Sequence, residues 1–187
     1  MDLGSHIAVE RNPSRELLLE TIGSTKPEES ALIVFVMAHG KAGMVQFNSG
    51  YVEVQEMLAK MDTPNLRGKP KVPVIQACRG VDHNKCSDDG CHSEWKSHPY
   101  FEIKSPDTLV IMSAYHGSLA ARNVMIPSLA KAIRTSRNDA DICEIFHETA
   151  REIMKIEPNQ AQEMRSTLRY KLGLGQVRNV AIFTSIC

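Results

Sequence analysis

Two short apolar runs, each stopped by a chemically active residue, constrain this chain more than any other feature. Ala31 to Ala38 is continuous, rich in Val and Ile, and ends at His39-Gly40; Val72 to Ile75 ends at Gln76-Ala77-Cys78-Arg79-Gly80. Both are too short for an ordinary helix and suit strands buried on both faces of a parallel sheet. Between them Val54, Met57, Leu58 and Met61 form a helical stripe, and Pro64 and Gly68 mark its exit. Strand, helix, strand implies a parallel crossover, which brings the ends of both strands to one edge of the sheet. His39 and Cys78 are therefore expected to meet.

The remaining chain supports an α/β reading. Ser14 is placed as an N-cap before Leu17, Leu18 and Ile22, and residues 1–13 read as an N-terminal arm. Leu109 to Met112 is a further core strand, and Ile126 to Ile133 and Ile142 to Ile156 are amphipathic helices. Ser166 to Leu172 alternates, with Leu168, Tyr170 and Leu172 on one side, as a half-buried strand does. Residues 81–106 are polar, with little periodicity, and long for a plain connection in a compact domain. Val180 to Phe183 is an apolar tail for which an added strand and an exposed end are both open.

At 187 residues the chain fits one globular domain. Its 22 basic residues balance 22 acidic ones, so no overall field draws it to nucleic acid or to an anionic membrane. No leader-like segment opens it, and no apolar run is long enough for a bilayer. Five unevenly spaced cysteines suit reduced thiols in the cytoplasm. His83, Cys86, Cys91 and His92 match no standard zinc spacing, and no metal or other cofactor is expected.

A thiol at one strand end beside an imidazole at the next can be deprotonated and aimed at a carbonyl carbon. Gly40 lets the backbone pass closely, and its N–H with that of Cys78 is a candidate oxyanion hole. The same cysteine, read without its neighbours, fits an inert buried residue.

The pentapeptide Gln76 to Gly80, with a histidine tens of residues upstream, resembles the signature of the caspase family. Val34 to Gly40, the Gly68-Lys69-Pro70-Lys71 lead into the second strand, and Ser113 to Asn123 are also similar to caspase segments. The resemblance covers roughly residues 14–172 and implies a three-layer sandwich, a mainly parallel sheet flanked by helices. It implies a large-subunit-like part over 14–80, an intersubunit linker over 81–106 cut after Asp89, with Asp82 and Asp88 as alternatives, a small-subunit-like part over 107–172 and a C-terminal extension over 173–187. It further implies a Cys78-His39 endopeptidase in which Gly40 aids oxyanion binding, and Gln76 and Arg122 hold the substrate Asp carboxylate. Protein substrates with Asp before the cut bond, a homodimer or a heterodimer with another caspase, and a role in apoptosis or inflammatory signalling follow from the same resemblance. The family's opening strand and helix, with a second pocket arginine, are expected to be lacking, and Ala121 replaces a Trp that shapes the neighbouring subsite. These departures keep open an alternative: a weak or inactive homologue that regulates an active caspase by heterodimerisation.

Overall fold

The computed structural model describes residues 6–41, 43–80, 101–115, 118–121, 123–137, 139–173 and 180–186, with backbone alone for 6–8 and 180–186. The core is a six-stranded sheet in the order β1-β9-β2-β6-β7-β8. Its strands are β1 (His6–Arg11), β2 (Ala31–Met37), β6 (Lys71–Gln76), β7 (Leu109–Met112), β8 (Glu163–Ser166) and β9 (Val180–Ile186). All neighbours pair in parallel except β7 and β8. A separate antiparallel sheet of β3 (Gly40–Lys41), β4 (Met44–Phe47) and β5 (Gly50–Glu53) follows directly after β2.

Helices cover both faces of the large sheet, giving the α/β three-layer sandwich. On one face α1 (Arg15–Gly23) and α2 (Val54–Met61) pack Leu19, Ile22, Met57 and Met61 against Leu32, Val34 and Val36. On the other α3 (Met125–Thr135) and α4 (Ile142–Ile156) pack Leu129, Ile145 and Ile153 against Val72, Val74 and Ile111. The alternation of β2, with Leu32, Val34 and Val36 to one side and Ile33 and Phe35 to the other, explains why its sequence is apolar without a break. Ser14 caps α1, its hydroxyl accepting from the Leu17 N–H at 3.1 Å. Asp141 caps α4 within a reciprocal capping box with Glu144.

Two expectations change, and one open alternative is decided. Residues 6–11 are the edge strand β1, not part of a loose arm, because β9 supplies its ladder. The apolar tail is an interior strand: β9 lies between β1 and β2 and pairs along the whole of β2, from Ala31↔Val180 to Met37↔Ile186. The strand expected over 166–172 lies earlier, at 163–166. Beyond it Arg169 forms a two-pronged ion pair with the buried Asp107, at 3.0 and 2.6 Å, and the Leu172 N–H donates to Asp141 at 2.8 Å, turning the chain away from the sheet. Tyr170 is consequently exposed, while Leu168 packs on the α3–α4 core.

Candidate active site

The register of β2 and β6 decides the site. Met37 is the partner of Gln76, so His39 and Cys78 each stand two residues beyond the same rung of neighbouring parallel strands. Adjacent strands run about 4.8 Å apart. The two residues thus occupy one sheet edge, with the His39 side chain exposed and Cys78 half-buried.

Gly40 locks the two loops together. A Cβ built there would stand 2.7 Å from the Cys78 carbonyl oxygen, 2.8 Å from the Ala77 Cβ and 2.9 Å from the Met44 carbonyl oxygen. Two of these three atoms are backbone, so a side chain would require the strand ends to separate. Behind the thiol, the fully buried Ser113 accepts the Ala77 N–H at 3.2 Å and fixes the loop from the β7 side.

Gln76 is buried, and its Oε1 accepts the Ile126 N–H at 3.2 Å, satisfying an otherwise open donor in the first turn of α3. It therefore joins the site edge to α3 while sitting two residues from Cys78. Arg122, Asp89, His83, Cys86, Cys91 and His92 lie outside the described residues, as does most of the expected linker. Its last part, residues 101–106, is docked: Phe101 is buried, the Glu102 N–H donates to Gln55 at 2.8 Å, and the Ser105 hydroxyl donates to Asp62 at 2.8 Å.

Several contacts of the site could not be read from the sequence. The segment 118–121 lies across the thiol: the Arg79 N–H donates to the Ser118 carbonyl at 2.9 Å, and the Ala120 N–H to the Cys78 Sγ at 3.5 Å. The Cys78 thiol in turn donates to the Ala120 carbonyl at 3.9 Å. Arg79 points inward to form a buried ion pair with Glu163, which also holds Arg165, and both guanidiniums lie over the Phe101 ring, at 5.7 and 4.9 Å from its centroid. Burial, and next the neighbouring charge of Arg79, push Arg165 below its ordinary value. No local pattern marks Glu163 as part of a site, since it is a polar residue far along the chain. Cys143 differs chemically: burial foremost, then the hydrogen bond to Asp141, pushes its thiol up to about 11, away from nucleophilic use.

A sequence model of the caspase domain matches residues 1–173. Human Caspase-14 is 28% identical over 178 residues, covering 85% of this chain and 73% of that protein. Mouse Caspase-3 is 29% identical over 89 residues, 44% of this chain and 32% of that protein. Among solved structures, Caspase-1 from Spodoptera frugiperda superposes with a TM-score of 0.72 at 21% identity, over 94% of this chain and 76% of its own. The structure described as pro-sf-caspase-1 gives 0.68 at 20% identity, over 88% and 74%. With the caspase domain matched over most of its length, and with a fold that superposes on those structures, the chain belongs to the caspase family.

Proposed function

We propose that this protein is a cysteine endopeptidase that cleaves peptide bonds after Asp. The observation that carries the reading is the common rung Met37↔Gln76, with His39 and Cys78 each two residues beyond it at neighbouring strand ends. In this mechanism the Cys78 thiolate attacks the scissile carbonyl carbon, and the amides of Gly40 and Cys78 receive the charge that develops on oxygen. His39 delivers a proton to the leaving amine, and water then hydrolyses the thioester to free the thiol. In the same proposal Arg122 and Gln76 bind the substrate Asp carboxylate. Cleavage of the chain itself after Asp89 belongs to the same proposal, together with dimerisation and a role in apoptotic or inflammatory signalling in the cytoplasm.

A second reading, a regulator that pairs with an active caspase, draws on the contacts of the thiol. Among the described residues, both hydrogen-bonding contacts of the Cys78 sulfur are with the backbone of Ala120. Turnover of an Asp-ending fluorogenic peptide by the purified chain separates the readings. The enzyme turns it over and Cys78→Ala does not; the regulator shows no turnover but changes the rate of an added active caspase.

A further inference from the structure

Gln160 lies in the loop between α4 and β8, outside every motif that marks the site. Its backbone is well fixed: the Gln160 N–H donates to the Glu157 carbonyl at 3.0 Å, and its carbonyl accepts from the Gln162 side chain at 2.7 Å. The next residue, Ala161, accepts the Tyr115 N–H at 2.8 Å, which ties the loop to the exit of β7. From this anchored position the Gln160 Oε1 accepts the Ala121 N–H at 2.6 Å. The Nε2 of the same carboxamide is buried with no hydrogen-bond partner, so the side chain is held by Oε1 alone.

The Ala121 nitrogen and the Ala120 carbonyl belong to one planar peptide unit, and the described chain has no cis peptide bond. In a trans unit the N–H and C=O point in opposite directions. Gln160 grips the N–H end of this unit, while the C=O end faces the Cys78 thiol, which donates to it at 3.9 Å. The other end of the segment is pinned where Ser118 accepts the Arg79 N–H.

We infer that Gln160 is a positioning residue that restrains the Cys78 thiol by holding the 120–121 peptide unit with its carbonyl turned toward sulfur. A carbonyl oxygen accepts from S–H but repels a thiolate, and its bulk covers one side of the sulfur. Releasing the unit lets it rotate, leaving the thiolate to face solvent and the Ala120 N–H, a donor that favours it. The resting site is thereby kept less reactive by a residue distant in sequence. The inference concerns the state of the thiol and stands whether or not the chain turns over a peptide.

The experiment is iodoacetamide labelling of the full chain at neutral pH, with rates for Cys78 and Cys143 read separately by peptide mass spectrometry. Gln160→Met keeps the length of the side chain but removes the acceptor; Cys78 should label about fivefold faster, the scale of one modest hydrogen bond, with Cys143 unchanged. Gln160→Glu restores an acceptor oxygen and should return Cys78 to the wild-type rate or below it. Equal or slower labelling of Cys78 in Gln160→Met, acceleration of both cysteines together, or acceleration in Gln160→Glu as well would each overturn the inference. Because no peptide substrate is used, a chain without peptidase activity still gives a decisive answer.

Discussion

Arg79, the residue after the candidate nucleophile, is ion-paired with Glu163 at the start of the edge strand β8, and both are buried. The pair joins the Cys78 loop to the far side of the sheet, with Phe101 stacked beside it. Removing one partner of such a pair strands a charge in low dielectric. Glu163→Leu is expected to destabilise the fold by roughly 3–5 kcal/mol, whereas replacing both residues by apolar side chains should recover much of the loss. Chemical denaturation of the two single variants and the double variant measures this coupling. Additive losses would show that the residues act independently.

Gly40→Ala places a methyl group within 2.7 Å of the Cys78 carbonyl oxygen, a separation that the two strand ends cannot hold. The expected result is a loss of about 1–3 kcal/mol in stability from overpacking. Displacement of the candidate oxyanion donors should lower kcat/KM by about 100-fold or more if the peptidase reading holds. Melting curves and peptide kinetics on the same sample separate the effects. An unchanged melting temperature would contradict the close approach of the two loops.

The fully buried Asp107 is held below its ordinary value of 3.8, chiefly by hydrogen bonding to Arg169, with the charges of Arg169 and Lys71 adding to the effect against the cost of burial. A carboxyl group depressed on folding stabilises the native state above its unfolded value, and that contribution fades as pH falls toward the folded value. Arg169 is largely exposed, so solvent screens part of the interaction. Arg169→Ala should lower stability at neutral pH, because it leaves the buried Asp107 carboxylate without its two-pronged partner. The gap between wild type and variant should narrow below about pH 4 as the carboxyl group protonates. Denaturation midpoints measured from pH 7 to pH 3 test this, and a gap that widens on acidification would refute it.

The position of β9 gives a prediction about the whole sheet. Ile182 is paired with Ile7 on one side and Ile33 on the other, so a proline there removes a donor from an interior ladder. Ile182→Pro should destabilise the fold by on the order of 3 kcal/mol. It should also raise amide exchange in β1, whose sheet partner among the described residues is β9. Exchange of β7 amides, three strands away, should rise far less. Uniform loss of protection across all six strands would mean that the sheet opens only as a unit.

The sequence alone determined the centre of this protein, because its signals there are local and strong. The apolar runs before His39 and Cys78 are buried on both sides of the sheet, so their composition alone marked them as interior strands. The helical stripes over 54–61 and 142–156 were equally legible from their period. Tertiary structure decided what depends on a distant partner. The segment 6–11 becomes a strand because 180–186 lies beside it, and the alternation at 166–172 yields to the pull of Asp107 on Arg169 and of Asp141 on the Leu172 amide. The surroundings of the thiol belong to the same class: Ala120, Gln160 and Glu163 reach the site through folded geometry, and hydrogen bonds between residues so far apart leave no periodic trace in a sequence.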